Sequence, residues 1–246
     1  MKVSLLYATP GAADILIYTK NTRLNMSPQG LAEIREWAPE RKDAELAYMA
    51  KTIPSSWEFV DLIFCIEGVT RAFTHQFVRT RTASYAQQTM RVINMGDFDY
   101  YTGPTVSEGE AKEEYDHAME SISASYKLLI EAGAKPEDAR GILPTNIKTN
   151  ICVKMNLRTL SDLVRKRSSG RVQGEYAEVL EQFIALTLKE WPWAEPFIVS
   201  QAREAQMDLT RYLQRAMAAE MAATGKAQNE TEAWNAMKNL DLVIQE

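Results

Sequence analysis

The stretch Arg79-Thr80-Arg81-Thr82-Ala83-Ser84-Tyr85-Ala86-Gln87-Gln88-Thr89-Met90-Arg91 decides how this chain is read. It lies inside residues 68–96, which hold Arg71, His75, Arg79, Arg81 and Arg91 without one Asp, Glu or Lys. The chain as a whole carries a formal net charge of −5, so this run of one-signed charge stands apart from its surroundings. Each guanidinium offers five N–H donors in a fixed fork, so arginines interleaved with Ser, Thr and Gln suit phosphate and other planar polar anions.

A second window has the same bias. Residues 140–174 carry Arg140, Lys148, Lys154, Arg158, Arg165, Lys166, Arg167 and Arg171 against Asp162 alone, a net of +7. Two basic segments on an acidic chain favour a local anionic ligand over general nucleic-acid binding, which needs a broadly basic domain. The plainer alternative is that these cations sit on solvated helix faces and pair with the acidic remainder.

At 246 residues the chain is long enough to bury a substantial core. Its 46% apolar and 25% charged content is that of a soluble globular protein. Two cysteines, Cys65 and Cys152, make no disulfide framework, which points to a reducing cytoplasm. The apolar run near Met1 is too short for a signal peptide, and none reaches the ~18–20 residues a membrane span requires.

Along the chain, Val3–Tyr7 reads as a strand, followed by short helices near 12–20, 29–37 and 40–51. Trp57–Ile66 reads as a buried strand ended by Gly68, with Cys65 a core thiol. A helix over Val69–Arg79 then places Val69, Phe73 and Phe77 on one face and Arg71, His75 and Arg79 on the other. Asp97–Tyr101 reads as a strand. Ser107, with Glu110 three residues on, caps a helix running to Ala132 and closed by Gly133. Thr145–Met155 reads as a strand, and 156–167 and 174–190 as helices, before a Met- and Ala-rich helical tail. Strands and helices mix without regular alternation, which gives the α+β class.

The absences narrow the chemistry. There is no GxGxxG, no GxxxxGK[ST] and no GxSxG, and only His75 and His117 are available, which argues against a histidine-rich zinc site. What remains is arginines, amides and hydroxyls without a nucleophile. Such a site stabilises charge and leaves the reactive chemistry to a cofactor.

Gln76 to Tyr85, continuing to Thr89 and Arg91, resembles the signature of flavin-dependent thymidylate synthases: Arg-His-Arg, seven residues, then Ser. Further stretches are similar in order: Ser55-Ser56-Trp57-Glu58-Phe59, Arg140-Gly141-Ile142-Leu143-Pro144, Asn156-Leu157-Arg158, then Arg167 and Gln173-Gly174-Glu175. The resemblance covers residues 1–198 as a catalytic domain and leaves 199–246 as a helical extension. It implies a central, mostly antiparallel sheet flanked by helices, and a cytoplasmic homotetramer with its sites at subunit interfaces. The implied reaction converts dUMP to dTMP, using FAD, with NADPH and methylenetetrahydrofolate as co-substrates and no metal. By position, Gln76, Arg79, Gln87, Gln88, Thr89, Met90, Arg91 and Arg140 would hold the nucleotide. Arg167 would face the uracil as the catalytic cation. Ser55, Arg79, Thr80, Arg81, Gln87, Asn156, Leu157, Arg158 and Asp162 would line FAD.

The chain departs from that pattern. The signature's His is Thr80, its Asn-Glu pair is Ala86-Gln87, its Ser is Thr89, and its following Tyr is Val92. An expected Asn is Asp162 and an expected His is Arg171. Nucleotide-facing arginines persist while the flavin and folate side is altered. Related readings are methylation of another uridine nucleotide such as UMP, hydroxymethylation of dUMP, or a non-catalytic nucleotide- or RNA-binding homologue.

Overall fold

A computed structural model describes residues 1–22, 25–167 and 174–199. Four strands, β1 (Lys2–Ala8), β2 (Asp61–Thr70), β3 (Ser84–Gln87) and β4 (Lys148–Asn156), form one antiparallel sheet in the order β1-β2-β4-β3. Three helices follow β1: α1 (Ala12–Lys20), α2 (Pro28–Arg35) and α3 (Pro39–Thr52). Then α4 (Arg71–Phe77) follows β2, α5 (Gly109–Glu131) and α6 (Pro136–Ala139) follow β3, and α7 (Leu157–Arg167) and α8 (Gly174–Glu190) follow β4. This is the α+β architecture that the sequence implied. Among the described residues no helix is long and apolar enough to cross a membrane.

Strand side chains alternate between faces, and the two faces here differ. Leu62, Phe64 and Ile66 of β2 and Ile151, Val153 and Met155 of β4 are buried on one side. Against them α8 lays Tyr176, Val179, Leu180 and Phe183, the spacing that lines one side of a helix. The Phe183 and Phe64 ring centroids are 4.4 Å apart. Each such ring contributes ~1.5–3 kcal/mol by burial, so this layer fixes the sheet against α8.

The other face is more open. Cys65 sits on it directly opposite Cys152, and both are half-exposed. That corrects the expectation of a core thiol: strand parity groups Cys65 with Asp61 and Ile63 rather than with Phe64. Burial, then the neighbouring Cys152, pushes the Cys65 thiol up.

Other boundaries also moved. Pro54–Phe59 is a 3-10 turn rather than the start of a strand, because Pro54 opens it and the Trp57 indole donates to the Met49 carbonyl at the end of α3. Gly68 does not end β2. Its φ of 73°, open to glycine at little cost, carries the chain through a bulge between Ile66 and Val69, and the strand runs on to Thr70. Consequently α4 starts only at Arg71, Val69 belongs to the sheet, and Arg79 lies beyond the helix, so the expected polar stripe is broken.

Asp97–Tyr101 forms only a single bridge, Tyr100 to Ile147. Two main-chain bonds, from the Lys148 amide to the Asp99 carbonyl and from the Tyr101 amide to the Asn146 carbonyl, hold that segment, and α5 adds Lys127 to Asp97 and Tyr100 to Asp116. Ser107 does not cap α5: its hydroxyl donates to the Pro104 carbonyl, and Glu108 takes the cap position. Gly133, at φ 90°, closes α5 as expected. The tail expected to be helical, with Met207, Leu213, Met217 and Met221, lies outside the described residues, as do Arg171 and Gln173.

Candidate active site

The junction of β2 and α4 is where the arginine-rich stretch is fixed. Thr70 caps α4 by accepting from the Phe73 amide at 2.9 Å. The buried carboxylate of Glu175, reaching over from α8, takes both Thr70 donors: its amide and its hydroxyl, each at 2.7 Å. With its start secured in this way, α4 buries Phe73, Thr74 and Phe77. The Thr74 hydroxyl accepts from the Gln87 amide nitrogen at 2.9 Å, which ties β3 to α4.

Beyond β3 the chain turns over the first residue of α4. Arg71 Nη2 donates to the Gln88 carbonyl at 2.6 Å, and the Gln88 amide donates to the Asn150 carbonyl at 2.9 Å. Arg71 Nε is buried with no partner. Burial, and next the charge of Arg140, lowers the pKa of the Arg71 guanidinium. Thr89 accepts from the Arg91 amide, and Arg91 Nε pairs with Glu137 at 2.8 Å. Arg140 Nε donates to the Glu137 carbonyl at 3.1 Å. A cavity of about 500 Å³ opens here, lined by Arg91, Val92, Lys135, Pro136 and Glu137. Met90 lies half-buried in the same turn, and Gln76 half-buried on α4.

A second region lies toward the other end of β4. Arg79 and Arg81 are exposed, and neither has a carboxylate partner among the described residues. The turn that holds them is fixed by the Tyr85 hydroxyl, which donates to the carbonyls of Phe77 (2.9 Å) and Thr80 (3.0 Å). Burial pushes the Tyr85 pKa up to about 12. Arg167, at the end of α7, stands 5.1 Å from the Tyr176 ring centroid, within cation–π reach. The Tyr176 hydroxyl is buried without a hydrogen-bond partner. Burial raises its pKa, and the Arg167 charge acts in the opposite direction.

Asn156 caps α7 by accepting from the Thr159 amide at 2.8 Å. The Leu157 side chain is wholly buried and its amide donates to the Val60 carbonyl, so neither is presented to a ligand. Arg158 pairs with Glu58 at 2.6 Å, Asp162 with Arg165 at 2.8 Å, and Ser55 lies exposed on the adjoining 3-10 turn.

The expected site residues therefore form two groups within one protomer. Gln76, Gln87 to Arg91 and Arg140 gather near the Lys148 half of β4. Ser55, Thr80, Arg81, Asn156, Arg158, Asp162 and Arg167 gather around α7. Gln87 faces Ile151 and α7 begins after Asn156, so about 17 Å of strand separates the two regions. The arrangement offers a cationic cradle for a phosphate at one end and exposed donors for a larger polyanion at the other.

Sequence reading passed over Arg71, placed on a polar stripe, and did not single out Glu137. Their signal was weak: only the absence of acidic residues across 68–96 hinted that Arg71 lacked a local partner.

The chain matches the family described as thymidylate synthase complementing protein over residues 4–193. A flavin-dependent thymidylate synthase of Nitratidesulfovibrio vulgaris is 34% identical over 207 residues, covering 78% of this chain and 84% of that protein. Another, from Clostridium tetani, is 30% identical over 211 residues with the same coverage of each. Among solved structures, thymidylate synthase X from Helicobacter pylori with FAD and dUMP superposes with a TM-score of 0.62 at 18% identity. That match covers 82% of this chain and 99% of the other, a likeness of fold.

Proposed function

Because the chain belongs to the flavin-dependent thymidylate synthase family, we propose that it is a methyltransferase that converts dUMP to dTMP at C5 of the uracil ring. The carbon comes from methylenetetrahydrofolate, and NADPH is the reductant. The observation that carries this reading is the cluster of Arg71, Arg91 and Arg140 inside the region that matches the family: among the described residues only Arg91 meets a carboxylate, Glu137, while Arg140 and Arg71 donate to the main-chain carbonyls of Glu137 and Gln88. A dianionic phosphate is the ligand that such an excess of guanidinium calls for.

In this reading Arg140, Arg91 and the Gln87–Thr89 segment hold the phosphate and sugar. Arg167 sets its positive charge beside the uracil and favours the N3-deprotonated ring, which raises electron density at C5. The Tyr176 ring beneath Arg167 supports the guanidinium from one side.

The donor set also fits FAD: Arg79 and Arg81 are exposed and lack acidic partners among the described residues, as a pyrophosphate site requires, with Ser55 and Thr80 beside them and Arg158 reachable once it leaves Glu58. When bound, FAD supplies the hydride that completes the methyl group. Asn156 and Asp162 contribute through α7, Asn156 by capping it. Leu157 enters only as packing beneath that helix. The two regions lie apart in one protomer, so the full site is assigned to the meeting of protomers in a homotetramer.

Gln87 is tethered to Thr74 rather than free, which leaves room for a changed ribose preference and a second reading, methylation of UMP. Tritium release from C5-labelled dUMP and UMP, with methylenetetrahydrofolate and NADPH supplied, tests both. Release from dUMP is expected. Release from UMP alone would select the second reading, and release from neither would overturn the assignment.

A further inference from the structure

Arg71 stands apart from the other arginines. It is half-buried, whereas Arg79, Arg81, Arg91 and Arg140 are exposed. It has no carboxylate partner among the described residues, and its Nε is enclosed without an acceptor. A partly buried guanidinium with neither a counter-charge nor full hydrogen bonding is a costly arrangement. Its position is also tightly set. The Arg71 amide donates to the Ile147 carbonyl, the Ala72 amide to the Thr145 carbonyl, and Glu175 secures the preceding Thr70. The one side-chain bond Arg71 makes, to the Gln88 carbonyl, shapes the turn that leads to Thr89 and Arg91. Among the described residues, the neighbouring group that acts on its ionisation after burial is another cation, Arg140, which adds to the unbalanced charge.

We propose that Arg71 is a positioning residue for the phosphate of the nucleotide: it fixes the Gln87–Arg91 turn through the Gln88 carbonyl and supplies, with Arg140, positive charge that only a bound dianion balances. This rests on the functional reading above and deepens it, by making the site selective for a nucleoside monophosphate over the bare nucleoside. Arg71 itself need not touch the phosphate. Its half-buried charge acts over a short distance through protein, where screening is weaker than at the surface. The bond to Gln88 keeps the Thr89 and Arg91 donors in place.

The test uses the holoenzyme and isothermal titration with two probes, dUMP and deoxyuridine. Arg71→Met is expected to weaken dUMP binding by about ten- to a hundredfold, as removal of a charge-assisted contact does. Deoxyuridine binding should fall much less than dUMP binding, since it loses only the support of the Gln87–Arg91 turn and brings no charge for Arg71 to balance. Arg71→Lys should recover part of the dUMP affinity by restoring the charge. In turnover the Arg71→Met defect should fall on KM more than on kcat.

An Arg71→Met protein that binds dUMP as the wild type does would overturn the proposal. Equal loss for dUMP and deoxyuridine would also overturn it, since that marks a role in folding alone. Failure of the unmodified protein to bind dUMP would strike the functional reading instead.

Discussion

At the Lys148 end of β4, Arg71 and Arg140 rest on main-chain carbonyls, and among the described residues only Arg91 meets a carboxylate, Glu137. At the Asn156 end, three cations of β4 and α7 each have an acid of their own: Lys154 with Asp61, Arg158 with Glu58, Arg165 with Asp162. The difference bears on how each region receives a ligand. The first holds positive charge in excess and attracts an anion while giving up little. The second gives up an internal ion pair before Arg158 can turn to a ligand. Exposed pairs of that kind contribute only about 0–1 kcal/mol, so the exchange is easy, but it weakens binding by a corresponding factor.

The largest effect is expected where this contrast meets the chemistry. Arg167→Ala should lower turnover by about 10²–10³-fold, the scale seen when one charge-stabilising donor is removed from an active site, while FAD stays bound. Steady-state rates with the flavin absorbance measured in parallel check this, and unchanged turnover would remove Arg167 from its role.

Arg140→Ala comes next. It should weaken dUMP binding by about ten- to a hundredfold and flatten its salt dependence. If the same change weakened FAD instead, the division into two regions would be wrong.

Neutralising the acids sharpens the comparison further. Glu58→Gln frees Arg158 and should tighten FAD binding by up to about fivefold, the range of an exposed ion pair, without altering dUMP affinity. Glu137→Gln should act on dUMP and leave FAD unchanged. Titrating each variant with both ligands is sufficient, and crossed effects would join the two regions into one.

The smallest effect concerns pH. Tyr85 titrates at about 12 in the folded protein against an ordinary value of 10. The unfolded chain loses that proton first, so the stabilisation is full below pH 10 and is lost as pH rises from 10 through 12. Tyr85→Phe should flatten thermal stability over that window and lower it at neutral pH by about 1–2 kcal/mol, through the lost bonds to Phe77 and Thr80. An unchanged alkaline slope would assign the effect to another group.

The helices α1, α2, α3, α7 and α8 were legible because each carries an apolar stripe at helical spacing, and β1 because its run is short and bounded. The strand β3 was not. Ser84–Gln87 has no apolar alternation, and only its pairing with Lys154 to Ile151, far along the chain, makes it a strand. Gly68 misled for the same reason. A positive φ serves a terminus or a bulge equally, and the partner strand decides which. The site residues could be named from motif spacing, yet spacing says nothing about Arg158 being occupied by Glu58, Leu157 being sealed in the core, or Arg71 being enclosed.

The two oxygens of Glu175 grip both polar handles of Thr70, and this makes α8 and α4 a single buckle. Arg71 follows one side of it directly, while Tyr176, beneath Arg167, follows the other. Relatives could therefore lengthen or shorten the surface connections between these points while the two charges kept their spacing, because one clasp sets it and the intervening chain does not.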